Sequence, residues 1–128
     1  MVKRDMFYFA DIDEKFIDGT KNSVGLEDGV LVHCQQCIEK NLKGITEKKY
    51  GIISREHNLV KLLEVLYLND YKYLKEFKGL CRDLKDFYFS RRYASDDYEL
   101  LTHEEYCEYI HNFYELLEAL KVIRKELE

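Results

Sequence analysis

Apolar positions along this chain recur with the period of a helix, and no segment alternates as a strand does. The first run predicts a helix over about residues 3–18. There Met6, Phe9, Ala10, Asp13, Phe16 and Ile17 share one face at about 100° per residue. Gly19, Asn22, Ser23 and Gly25 then mark a loop. A second helix is expected over about residues 26–46, with a stripe of Val30, Cys34, Cys37, Ile38, Asn41 and Ile45. Lys48, Lys49 and Gly51 belong to a connection. Ser54 is the expected N-cap of a third helix running through Leu59, Leu62, Leu63 and Leu66. A fourth helix fits about residues 70–89 through Leu74, Phe77, Cys81, Leu84 and Tyr88, and an irregular charged stretch from Ser90 to Tyr98 follows it. The last helix has the clearest start. Thr102 and Glu105 stand at the capping-box spacing, in which hydroxyl and carboxylate satisfy free backbone donors reciprocally. Behind them Tyr106, Tyr109, Ile110, Phe113, Leu116, Leu117, Leu120, Ile123 and Leu127 share one face.

Short connections favour antiparallel neighbours, so these segments predict an all-α, up-and-down bundle of four to five antiparallel helices. At 128 residues the chain fits one domain, residues 1–128, and contains no internal repeat. A domain of this size buries roughly two thirds of the surface its unfolded chain exposes, enough for its own core. The absence of proline leaves every helix interior unbroken by that route.

Composition then narrows the function. A net charge of −5, with Lys and Arg interleaved among Asp and Glu, excludes a generic basic nucleic-acid coat. No stretch approaches the roughly 18 apolar residues of a membrane span, so no membrane association is expected. The N-terminal Met1-Val2-Lys3-Arg4-Asp5-Met6 lacks the apolar core of a signal peptide. Cys34, Cys37, Cys81 and Cys107 are therefore expected as reduced thiols in a cytoplasmic protein.

Three segments, in order, carry a resemblance. Ala10-Asp11-Ile12-Asp13 with Ile17 is followed by Cys34-Gln35-Gln36-Cys37-Ile38-Glu39-Lys40-Asn41-Leu42-Lys43-Gly44, and then by His57-Asn58-Leu59 with Leu62-Leu63. The second resembles the Gln-Gln-Ala-x-Glu-Lys-x-Leu-Lys-Ala helix of the HEPN family, with Cys37 and Gly44 in the alanine positions. The third is similar to that family's His-Asp-Leu-x-x-Leu-Leu entry to helix three. Tyr88 with Arg92-Tyr93 is a weaker match to Tyr…Arg-Tyr-Pro, Ala94 replacing the proline. The resemblance implies a bundle of four or five helices that forms homodimers. It also implies association with RNA, a nucleotide or a small nucleotidyltransferase partner.

Many members of that family are metal-independent ribonucleases, with an Arg a few residues before a His near the start of the last helix. Such cleavage needs a group to move the 2′-hydroxyl proton and a cation to stabilise charge on phosphorus. Here ten residues separate Arg92 from His103 and one separates Arg55 from His57, so the family spacing is missing. No catalytic residue, cofactor or metal is therefore expected.

The leading expectation is a non-catalytic module that binds RNA or a nucleotide, pairs with a nucleotidyltransferase, or both. The alternatives are a ribonuclease toxin of a toxin–antitoxin pair, in which Arg91 or Arg92 folds beside His103, and a purely structural oligomerisation protein. Gln36, Lys40 and Lys43 lie opposite the cysteine stripe and could grip phosphate or a base edge, although Glu39 and Lys43 also have the i,i+4 spacing of a solvated pair. Arg91, Arg92 and Tyr93 supply cations and a stacking ring. Asp13, mid-stripe between Phe9 and Phe16, needs a partner, which makes it either part of a polar pocket with His57 or Arg92 or a buried salt bridge. Cys34-x-x-Cys37 is mid-helix and expected in the core. His103, Cys107 and His111 line one helix edge, too extended for all three to reach one ion.

Overall fold

A computed structural model describes residues 4–93 and 101–128, with side chains described for 4–88 and 101–128. Among these residues there are five α-helices and no strand, which is an all-α helical bundle. They are α1 (Met6–Thr20), α2 (Glu27–Tyr50), α3 (Leu59–Asn69), α4 (Lys78–Tyr93) and α5 (His103–Glu126). A 3₁₀ segment, Lys72–Phe77, leads into α4.

Helix α2 is the axis of the bundle and packs against α1, α3, α4 and α5. Every residue of its expected stripe is buried: Val30, Cys34, Cys37, Ile38, Asn41 and Ile45. It runs one turn past the expected end, to Tyr50, because nothing stops it before Gly51. That residue takes the left-handed conformation at φ 70 and donates its N–H to the Glu47 carbonyl, a glycine C-cap. Lys48 and Lys49 are therefore in the last helical turn, where their charge complements the helix dipole.

The stripe expected on α1 is only half buried. Ala10, Asp13 and Ile17 face α2, whereas Met6, Phe9 and Phe16 are 39–42% exposed. The helix begins at Asp5, whose carboxylate accepts the Tyr8 N–H at 2.9 Å.

Helix α3 starts four residues later than Ser54 would place it. Asn58 caps it, accepting the N–H groups of Val60 and Lys61, while residues 51–58 form an irregular connection. Ser54 instead accepts the Glu56 N–H. The cap falls where the leucine periodicity begins, so packing selects Asn58 over the earlier serine. Leu59, Leu62, Leu63 and Leu66 are all buried.

The fourth expected helix is two elements. Asp70 ends α3, and Leu74, Phe77 and Leu80 repeat every three residues, the period of the tighter 3₁₀ turn. Helix α4 then continues beyond residue 89 to Tyr93, so Ser90–Tyr93 of the expected irregular stretch is helical. The remainder of that stretch, 94–98, lies outside the described residues. The capping box of α5 is formed as expected. Thr102 Oγ1 accepts the Glu105 N–H at 3.1 Å and Glu105 Oε1 accepts the Thr102 N–H at 3.0 Å. That backbone N–H, with the hydroxyl, holds the Glu105 carboxyl below its ordinary range.

One contact fixes how closely α1 lies on α2. At Gly44 an added Cβ would meet the Phe7 ring at 2.5 Å. Alanine there gains up to about 1 kcal/mol in helix propensity but must displace a ring packed on the core. Gly44→Ala is expected to destabilise the fold by about 1 kcal/mol net, the overpacking cost exceeding the propensity gain. In a Phe7→Leu background the same change should stabilise. Urea midpoints of the four variants read this coupling, and a stabilising Gly44→Ala in the native background contradicts the packing.

Candidate ligand-binding edge of helix α2

Two carboxylates that no apolar core tolerates alone organise the outer edge of α2. Asp13 of α1 is 6% exposed and Glu39 of α2 is 7% exposed. An ionised carboxylate at such depth is costly unless paired and hydrogen-bonded. Each is paired twice.

Asp13 Oδ1 lies 3.0 Å from His33 Nδ1, and Oδ2 accepts from Lys40 Nζ at 2.6 Å. Its partners are thus His33 and Lys40 on the facing helix; His57 holds the other carboxylate, and the Arg92 side chain lies outside the described residues. Asp13 can reach α2 because Ala10 and Ile17, a turn away on either side, bring the two backbones together.

Glu39 accepts from Gln35 Nε2 at 2.9 Å through Oε1. Its Oε2 lies 3.2 Å from Lys43 Nζ and 3.1 Å from His57 Nδ1. Gln36 extends the chain by donating to Gln35 Oε1 at 2.6 Å. Glu39 and Lys43 do not form the solvated surface pair that their spacing suggests. Their side chains are 9% and 11% exposed, with His57 of the 51–58 connection lying against them.

The structure therefore places Asp13, Gln36, Lys40, Lys43 and His57 in two separate side-chain networks along α2, one of Asp13, His33 and Lys40 and one of Gln36, Gln35, Glu39, Lys43 and His57. Each imidazole is held at Nδ1 by a buried carboxylate, and Nε2 takes no part in that contact. His57 is 73% exposed on its side chain and His33 is 35% exposed, with the Phe16 ring 3.9 Å away, centroid to centroid. His33 and Gln35 were not among the expected site residues. The signal for His33 is in the sequence: it precedes Gln36 by three residues and Lys40 by seven, the spacing of one helical face.

Arg91, Arg92 and Tyr93 occupy the end of α4, and their side chains lie outside the described residues. His103 is elsewhere. It opens α5 with Nε2 3.5 Å from the Cys107 sulfur. It lines a groove of about 350 Å³ between the α1–α2 loop and α5, with Val24, Tyr106 and Ile110. His111 pairs with Glu115 at 2.9 Å. Among the described residues no group of three or more His, Cys, Asp or Glu is arranged to hold a metal ion.

Cys34 and Cys37 are fully buried. The Cys37 thiol donates to the Ala10 carbonyl, and burial, with Asp13 nearby, pushes it up to about 12. Burial likewise raises Cys34. At neutral pH these are core thiols rather than nucleophiles or ligands. No helix among the described residues is long and apolar enough to cross a membrane.

An all-helical bundle whose second helix carries Gln35, Gln36, Glu39, Lys40 and Lys43, and whose third opens on His57-Asn58-Leu59, defines the class. The family model of the HEPN domain matches residues 21–123, and the chain belongs to that family. No curated protein and no solved structure matches the chain.

The edge makes a stability prediction. Glu39→Ala leaves Gln35, Lys43 and His57 without their acceptor, and an orphaned buried donor costs about 1–3 kcal/mol. Glu39→Gln keeps one oxygen and should cost less. Equilibrium urea unfolding measures both, and a neutral Glu39→Ala shows that the network is not held by this carboxylate.

Proposed function

We propose that this chain is a non-catalytic HEPN module that binds RNA or a nucleotide along the outer edge of α2. It does so as a homodimer and in association with a small nucleotidyltransferase, the partners the family resemblance implies. The observation that carries the reading is that two hydrogen-bonded networks, one with Asp13 and Lys40 and a second with Gln36, Lys43 and His57, are built on the same helix, α2.

The chemistry fits a phosphate-bearing ligand of limited size. Lys40 and Lys43 each carry three donors, of which a carboxylate engages part, and Gln36 offers an amide able to read a base edge. Asp13 and Glu39 offset the two lysine charges, so the edge lacks the surplus cations of a non-specific nucleic-acid coat. Recognition then rests on prepositioned donors. Binding to those donors leaves a modest salt dependence. Arg91, Arg92 and Tyr93, at the end of α4, add two cations and a ring to the ligand contacts in this reading.

The groove at His103 is lined by Lys21, Glu27, Tyr106 and Tyr114 among the described residues, and the Arg91 and Arg92 side chains that the ribonuclease reading brings there lie outside them.

Fluorescence anisotropy with a short single-stranded RNA, with product analysis on the same samples, tests the proposal. Binding without cleavage is expected. Lys40→Ala with Lys43→Ala should weaken it by about tenfold, the loss of about 1.4 kcal/mol. Cleavage that disappears in His103→Ala overturns the reading in favour of the ribonuclease. Absence of binding to RNA and to free nucleotides leaves the structural oligomerisation protein.

A further inference from the structure

Three of the four thiols are sealed in the core, and one is not. Burial raises the Cys34 thiol and pushes Cys37 and Cys81 up to about 12. Cys107 is exposed in the second turn of α5. Its sulfur lies 3.5 Å from Nε2 of His103, one turn earlier on the same face. A thiol that solvent reaches therefore stands within hydrogen-bond reach of a base, the pairing that activates a sulfur nucleophile.

The pair lines the groove of about 350 Å³ between the α1–α2 loop and α5. Two contacts across that groove hold its walls together. Tyr106, 5% exposed, donates its hydroxyl to the Lys21 carbonyl at 2.7 Å, and the Lys21 ammonium lies 4.5 Å from the centroid of the Tyr114 ring. Val24, 96% exposed, and Ile110 give the groove apolar surface, while Lys21 and Glu27 give it one charge of each sign. We infer that this groove is a thiolation site, at which Cys107 exchanges with a small zwitterionic disulfide of the amino-acid or short-peptide class. The Lys21 ammonium suits the carboxylate of such a molecule, and the Glu27 carboxylate suits its ammonium. Val24 and Ile110 take its methylene arms.

In the exchange Cys107 Sγ attacks one sulfur of the disulfide while His103 Nε2 takes the thiol proton. The new S–S bond to Cys107 forms as the old one breaks. The departing half leaves as a thiolate and recovers the proton from the His103 imidazolium. Cys107 is oxidised to a mixed disulfide and the released half is reduced to a thiol, so the disulfide itself is the oxidant. The site uses no residue of the α2 networks and does not depend on the RNA or nucleotide reading.

Intact-mass and peptide mass spectrometry of the full chain, incubated with glutathione disulfide at neutral pH, test the inference. One adduct per chain is expected, on Cys107. It should form about tenfold faster than on an unstructured cysteine peptide, because a free thiol is only a few per cent thiolate at that pH. His103→Ala should remove this advantage with the helical circular dichroism unchanged, and its deficit should close as rising pH ionises the thiol unaided. The other titratable groups that share the groove are Lys21, Glu27, Tyr106, His111 and Tyr114, and all are kept in that variant. Lys21→Gln should slow exchange with glutathione disulfide but not with the uncharged hydroxyethyl disulfide. Adducts on Cys34, Cys37 or Cys81 in place of Cys107, or a Cys107 no faster than the peptide, overturn the site. A His103→Ala protein that reacts at the native rate overturns the role of the base, and a Lys21→Gln effect equal for both probes overturns the zwitterionic ligand.

Discussion

The position of α1 depends on Arg124 near the end of α5. Its guanidinium forks onto Asp11, with Nη1 to Oδ1 at 2.8 Å and Nη2 to Oδ2 at 3.1 Å. It also donates to Asn41 Oδ1 of α2 at 3.1 Å and lies 4.4 Å over the Phe7 ring. One side chain thus ties three helices. Lys121 on Glu14 at 2.6 Å and Tyr114 on Asp18 continue the same ladder back along α5, so that α1 and α5 run in opposite directions. Partly exposed pairs of this kind contribute little to stability, typically up to about 1 kcal/mol each. Their part is geometric. Burial of Ala10 and Ile17 brings α1 to α2, and the fork sets the rotation and height at which it sits. At that setting Asp13 meets His33 and Lys40.

The same logic explains why so polar a helix as α2 can be central. Gln35, Glu39, Asn41 and Thr46 are all buried within it. Asn41 is fully buried and satisfied in both directions, donating to the Cys37 carbonyl at 2.9 Å and accepting from Arg124. Thr46 donates to the Leu42 carbonyl. Among the described residues no buried side-chain nitrogen or oxygen lacks a partner. A helix of plain leucines would pack as well. What the polar residues add is one register of α1 on α2, and with it a fixed set of donors and imidazoles at the edge.

Much of this was legible in the sequence, for identifiable reasons. Helix-period leucines and the Thr102–Glu105 box gave the bundle and the start of α5, because both are local rules that tertiary packing had no cause to override. The Gln35–Gly44 segment carried the family. The phase of α1 was legible only in part, since Met6, Phe9 and Phe16 pattern like core residues and nothing local distinguishes a face covered by α2 from one left in solvent. The start of α3 was misplaced because a serine and an asparagine four residues apart are equally good caps, and only leucine packing chooses between them. Asp13 was correctly marked as needing a partner. Of the partners named for it, His57 sits on Glu39 instead and the Arg92 side chain lies outside the described residues; His33 was missed because it lies 20 residues away and the pairing exists only once two helices are docked.

The central claim is that two buried carboxylates hold His33 and His57 by Nδ1, and the proposed function adds that Nε2 of each meets the ligand. Nitrogen-15 NMR of the four histidine rings, with and without a short single-stranded RNA, tests it most directly. The account predicts a proton on Nδ1 of His33 and of His57, and Nε2 resonances of both that move on addition of RNA, while those of His103 and His111 stay in place. Nε2–H tautomers at His33 and His57, or RNA-induced shifts confined to His103 and His111, would contradict it.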